Sequence, residues 1–215
     1  MRKLQRPGAP AVLEELTRRG ATWSGVTRTE KKLIRRPLEA MSMRGKSLFC
    51  NYCESKVQPA RGHIEHLTAR ASDPALEFVW GNLFLSCDSN AHCGHFKDSS
   101  RGVAYSPDLV IHPDVDDPDN FLQFFSSGEV QPRQGLDPGS QTRALTTIQA
   151  LNLNDPDLVQ ARAGLARQAR AMVFDYLDSI EALTPTDRAE LFADEIAAFA
   201  GSPFFTTVRQ FFIEG

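Results

Sequence analysis

Apolar side chains recur along this chain in several rhythms, each predicting a different element. Leu13 and Leu16 are spaced for one helix face, with Pro10 placed to open the helix and Gly20 to stop it. A second helical stretch, from about Thr29 to Met43, carries Lys31, Lys32, Arg35 and Arg36 and is interrupted by Pro37. From Gly62 to Leu67 the alternation has period two, so a strand there sets Ile64 and His66 on one side and His63 and Glu65 on the other. The apolar run Leu83 to Ser86 predicts a partner strand, and the region of His95 the start of a helix. Between Tyr105 and Asp137 turn residues dominate, predicting a loop, a strand over FLQFF and a hairpin at SSGEV.

The C-terminal third reads as helical. Asp155-Pro156, Thr184-Pro185 and Ser202-Pro203 each couple a capping residue to a proline suited to a first helical turn. Behind the first pair, Leu158, Leu165, Ala169, Met172, Val173, Tyr176 and Ile180 mark one apolar stripe. Behind the others come Leu191, Phe192, Ile196 and Phe199, then Phe204, Phe205, Val208, Phe211 and Phe212. This stripe is read as core, the alternative for the terminal phenylalanines being a docking face for a partner protein. The pattern as a whole predicts an α+β chain. Residues 1–46 form basic bracing helices, 47–104 a small two-strand and helix module, and 105–215 a turn-rich segment and helical region, all in one compact domain.

A chain of 215 residues can build a core without disulfides. The start lacks the apolar run of a signal peptide, and no stretch approaches the roughly eighteen apolar residues of a membrane span. A cytoplasmic location is therefore expected, where thiols stay reduced and free to bind metal. Residues 1 to 72 hold 15 Lys and Arg against 6 Asp and Glu, a balance of +9, while the remainder holds 9 against 21, a balance of −12. A basic half of this kind suits a polyanionic partner. The acidic run Asp114, Asp116, Asp117 and Asp119 lacks the Gly and distal Glu of a calcium loop and is read as a solvated turn.

The chemistry is concentrated between Cys50 and Lys97, which contains all four cysteines and four of the five histidines. Cys50-x2-Cys53, followed by Cys87 and Cys93, is a four-thiolate set suited to a structural Zn²⁺. The second pair is widely spaced, and His92 beside Cys93 is an alternative fourth ligand. Among the thiols lie the groups a hydrolytic divalent-metal site needs. His66, neutral at physiological pH, suits a general base. Glu65 and His95 can hold Mg²⁺ or Mn²⁺, with His63 able to assist or replace Glu65. Asn82 cannot move protons, and its expected task is to orient the His66 imidazole.

These residues resemble the HNH, or ββα-metal, endonuclease family. The pattern is Cys50-Cys53, Glu65-His66, Asn82-Leu83, Cys87-Cys93 and His95-Phe96-Lys97. The resemblance implies His66 as base, Asn82 as orienting residue, Glu65 and His95 as metal ligands, and Lys97 as a phosphate contact. The family more often has Asp where Glu65 stands. Over nearly the whole chain, segments such as HIEH, WGNLFLSC, GHFK and TIQALNLN are similar to the HNH subunit of Septu-type antiphage systems, also found as a retron effector. That similarity implies an ABC-type ATPase partner and a role in antiviral defence. DNA is the expected substrate. The competing readings are a tRNA-cleaving RNase built on the same site and a zinc-stabilised adaptor that binds nucleic acid or protein without cutting.

Overall fold

The computed structural model describes residues 1–58, 61–174 and 183–214. Helix α1 (Ala11–Arg18) follows Pro10 and buries Leu13 and Leu16. Helix α2 (Arg28–Ser42) opens on a capping box in which the Thr27 side chain accepts from the Glu30 N–H while the Glu30 carboxylate accepts from the Thr27 N–H. Contrary to the sequence expectation, α2 runs through Pro37. Ile34, Leu38 and Met41 lie on one face and are buried. Burial of each is worth ~1.5–3 kcal/mol, so together they outweigh the ~3 kcal/mol cost of an internal proline.

Strands β1 (Met43–Arg44), β2 (Ser47–Phe49) and β3 (Lys56–Val57) form an antiparallel sheet in the order β1-β2-β3. The turn between β2 and β3 carries Cys50 and Cys53. Strands β4 (His63–His66) and β5 (Leu83–Ser86) pair antiparallel, with His63 opposite Ser86 and His66 opposite Leu83. Every residue of β5 is buried, which explains its unbroken apolar run. A five-residue helix α3 (Cys93–Lys97) follows, so two strands and a helix stand in the expected order. Strands β6 (Leu122–Phe124) and β7 (Val130–Pro132) form the predicted hairpin.

The remaining helices are α4 (Pro138–Ala150), α5 (Pro156–Met172), α6 (Pro185–Leu191), α7 (Ala193–Ala198) and α8 (Phe205–Glu214). The main core joins Leu16, Ile34 and Leu38 to Leu83, Phe84, Leu85, Val110, Ile111 and Leu151. A second, smaller core gathers Ala169, Val173, Phe192, Phe199, Val208 and Phe212. Most of the C-terminal aromatic residues therefore face inward, and the phenylalanine stripe is core. Met172 and Leu191 depart from the expected stripe, being 53% and 52% exposed, while Tyr176 and Ile180 lie outside the described residues. Ser202-Pro203 does not open a helix directly. Phe204 takes a left-handed backbone (φ 53°), and α8 starts one residue later.

Two polar clamps tie the C-terminal region to the rest. Glu54, itself left-handed (φ 64°), is buried behind the Cys50/Cys53 turn. Its carboxylate lies 2.9 Å from the Met1 amino group and 3.0 Å from Arg44 Nη1, and also accepts from the Thr206 hydroxyl. The acidic run is the second clamp. Asp114 pairs with Arg6, Asp116 with Arg143 and Asp119 with Arg209, while Asp117 caps a short turn by accepting from the Asp119 N–H. Most of the run is thus a set of tertiary ion pairs, where the sequence suggested a solvated turn. Among the described residues no helix is long and apolar enough to cross a membrane.

Candidate functional site

The four cysteines are free, buried and gathered into one cluster, with their sulfurs all within 4.8 Å of one another. Cys50 Sγ lies 3.8 Å from Cys93 Sγ, and Cys53 Sγ lies 3.9 Å from Cys87 Sγ. A tetrahedron with zinc–sulfur bonds of about 2.3 Å has edges of about 3.8 Å, so the thiols already stand at the spacing of a closed site. They can hold a metal ion such as zinc. The wide spacing of the second pair is absorbed by Cys93, whose left-handed backbone (φ 59°) turns its sulfur toward the others. His92 is not needed to complete the set. Its Nδ1 sits 3.3 Å from Cys93 Sγ and 3.6 Å from Cys87 Sγ, beside the cluster.

Without a cation the thiols compete to remain protonated. Burial, reinforced by its three sulfur neighbours, pushes Cys93 well up, and hydrogen bonds from Cys50 and Cys53 push Cys87 up. Cys53 is held well down: burial opposes this, but hydrogen bonds from Cys50 and the other cysteines outweigh it. A divalent cation would favour thiolate at every position.

A second cluster lies where β4 meets α3. The period-two geometry of β4 puts His63 and Glu65 on one side, with His63 Nε2 at 3.0 Å from Glu65 Oε2. Helix α3 supplies His95, whose ring stacks on His63 with centroids 3.8 Å apart. It also supplies Lys97, whose Nζ is 2.9 Å from Glu65 Oε1. Burial pushes the Glu65 carboxyl up, but the His63 hydrogen bond and the Lys97 charge outweigh it and hold the group below its usual range. The Lys97 side chain is fully buried and also contacts Asp98 and the His66 carbonyl, so its amine neutralises Glu65 where the resemblance expected a phosphate contact. Burial pulls the Lys97 amine down, and the Glu65 and Asp98 carboxylates more than reverse this, leaving it above its ordinary value.

Asp88, which the sequence reading did not single out, joins this cluster. His63, Asp88 and His95 each present a ligand atom within 4.8 Å of the other two. Asp88 follows Cys87, so the thiol cluster anchors its position on the surface. Its only sequence signal is adjacency to a thiol ligand, which by itself distinguishes nothing.

His66 and Asn82 stand apart from these groups. His66 faces the opposite side of β4, packed edge-on against Trp23 at 4.5 Å between ring centroids. Its Nε2 lies 3.0 Å from the Glu77 carbonyl, which only accepts. That contact fixes the proton on Nε2 and leaves the basic lone pair on Nδ1. Burial lowers the His66 pKa to about 4, so the imidazole is neutral at physiological pH. Asn82 accepts from the Thr68 N–H at 2.7 Å and donates to the Thr68 and Leu76 carbonyls, each at 3.1 Å. It pins the loop that carries Glu77, and hence the carbonyl that orients His66.

Two grooves flank the cluster. One, of about 480 Å³, is lined by Trp23, Val26, Arg28, Lys31, Lys32, Arg35, His63 and Ile64. The four cations occupy one face of α2 at successive helical turns. Arg35 is engaged with Glu39 and the Gly62 carbonyl, whereas Arg28, Lys31 and Lys32 form no ion pair among the described residues. The other groove, of about 380 Å³, includes Lys56, Arg61 and Asp88. No family model matches the chain, and no curated protein matches it.

Proposed function

We propose that this chain is a metal-dependent HNH-type endonuclease with a zinc-stabilised ββα-metal core, hydrolysing phosphodiester bonds of DNA. One observation carries the reading: Glu65, His63 and His95 converge beside a four-thiol cluster, and His63 opens onto a groove bearing Arg28, Lys31 and Lys32, which form no ion pair among the described residues. The adaptor reading accounts for the thiols and the groove but gives no reason for that convergence.

The residues divide the work as follows. Arg28, Lys31 and Lys32 draw the phosphate backbone in by displacing its condensed counterions. His63 and His95, with a carboxylate, would hold a divalent cation. When bound, such an ion stabilises the charge that builds on the leaving oxygen and the phosphoryl oxygens. The resemblance alone makes His66 the base, since it lies across β4 from the His63–His95 pair: with Nε2–H held by the Glu77 carbonyl, Nδ1 is the nitrogen that would accept a proton from an attacking water. Asn82 acts through His66 by fixing the loop that bears Glu77. Lys97 keeps Glu65 ionised, and Glu65 keeps His63 in place.

The similarity to Septu and retron nuclease subunits extends the proposal to an effector of antiphage defence that works with an ABC-type ATPase. The test is a cleavage assay on plasmid DNA and total tRNA, with and without such an ATPase. Loss of supercoiled plasmid with intact tRNA supports the DNA reading, loss of tRNA alone supports the RNase, and no cutting by folded, zinc-loaded protein supports the adaptor.

A further inference from the structure

Resting on that nuclease reading, the geometry points to a metal site built from His63, Asp88 and His95, with Glu65 as the carboxylate that orients His63, and selective for Mn²⁺ over Mg²⁺. The observation behind it is the close approach of these three side chains, all within 4.8 Å at their ligand atoms. Glu65 is not one of the three side chains that gather there, and its contacts tie it to His63 and Lys97. Its Oε2 lies 3.0 Å from His63 Nε2, and its Oε1, buried without a hydrogen bond, lies 2.9 Å from the Lys97 amine. It is also covered by α3: a Cβ at Gly94 would collide with the Glu65 carboxylate and stand 2.7 Å from His63 Nε2.

His63 fits a ligand role. Its Nε2 is taken by Glu65, and its Nδ1 is buried with no hydrogen-bond partner, an orphan that a cation explains. A histidine that binds metal through one nitrogen and donates the other N–H to a carboxylate is the usual arrangement of such sites. Asp88 and His95 are both exposed, so their side chains turn inward at little cost and leave positions open for water and phosphate oxygens. Two imidazoles and one carboxylate favour a first-row transition ion over Mg²⁺, and Mn²⁺, although the hardest of that row, still accepts imidazole more readily than Mg²⁺ does. Mg²⁺ prefers an all-oxygen shell and keeps its waters. Asp88 also lines the groove containing Lys56 and Arg61, while His63 lines the one containing Lys31, so the site bridges the two basic grooves.

The test is a titration of zinc-loaded protein with Mn²⁺, read as loss of the free-ion electron paramagnetic resonance signal, for wild type, Asp88→Asn and Glu65→Gln. Glutamine retains an acceptor for His63 but not the charge facing Lys97, so Glu65→Gln weakens Mn²⁺ binding by ~10-fold, the loss typical of an outer partner. Asp88→Asn removes a ligand and weakens binding more than Glu65→Gln does, with zinc content unchanged. Millimolar Mg²⁺ leaves bound Mn²⁺ in place. Unchanged affinity in Asp88→Asn with loss in Glu65→Gln overturns this ligand set while leaving the nuclease reading intact. Displacement of Mn²⁺ by Mg²⁺ overturns the selectivity, and a wild type that binds no Mn²⁺ overturns the site, while plasmid cleavage by the same protein in Mg²⁺ leaves the nuclease reading standing.

Discussion

His63 Nε2 lies 3.0 Å from Glu65 Oε2, and the backbone of Gly94 closes over the pair so tightly that a single added carbon has no space. The strand supplies the partners two residues apart, and the helix supplies the lid. Gly94→Ala is therefore expected to cost about 1–3 kcal/mol, the usual range for overpacking, and to weaken Mn²⁺ binding by pushing His63 aside. Urea denaturation and the Mn²⁺ titration measure the two effects. A variant with wild-type stability and affinity contradicts this packing.

The thiol cluster is expected to bind one zinc per chain, and the fold to depend on it. Structural zinc sites contribute on the order of 10–16 kcal/mol of apparent binding free energy, more than a domain of this size has to spare. Protein purified without added metal should contain one equivalent of zinc, and both Cys53→Ser and chelation should abolish cooperative unfolding. A metal-free sample that melts cooperatively contradicts the assignment.

His66 sets a pH window. Its folded pKa of about 4 lies below the ordinary 6.5, so the unfolded chain takes up a proton before the folded one does. Stability is complete above pH 6.5 and falls as the pH drops toward 4, by roughly 3 kcal/mol from a shift of this size. His66→Gln should flatten that part of the stability profile. Identical profiles for the two proteins from pH 7 to 5 contradict the buried, neutral imidazole.

Glu54 binds the Cys50/Cys53 turn to Arg44 and to Thr206 at the start of α8. Removing one member of a buried pair leaves the other uncompensated, so Glu54→Gln is expected to cost about 3–5 kcal/mol. Truncation after Gly201 removes Val208 and Phe212 from the second core and should unfold the C-terminal helices. Retention of the full helical signal after truncation contradicts the core assignment.

The parts of the site legible in the sequence are those set by local spacing. The period-two run around His63 and Glu65 gives both the strand and the face they share, and the thiol spacings give the cluster. Asp88 was not legible, because it reaches His63 and His95 only through the left-handed turn at Cys93 and the closing of the thiols. The burial of Lys97 was hidden for a related reason: nothing local shows that α3 lays its last turn against Glu65. Strands β1 and β3, two residues each, are too short to leave a pattern. Helix α4 did carry a signal, since Asp137-Pro138 repeats the cap pair seen at Asp155-Pro156, and the Asp137 carboxylate accepts from the Gly139 and Ser140 N–H groups. Pro37 misled because burial of Ile34, Leu38 and Met41 overrides a local penalty.

The central claim, that this cluster cuts nucleic acid, is tested most directly by incubating zinc-loaded wild type, His66→Ala and His95→Ala with supercoiled plasmid in Mn²⁺, each with and without an ABC-type ATPase. The account predicts metal-dependent nicking or linearisation by wild type. Both variants should be slowed by on the order of 10²-fold or more, the contribution of a base, with zinc content and melting unchanged for His95→Ala. Cutting that survives both substitutions, or its absence for wild type on plasmid and on total tRNA alike, contradicts it.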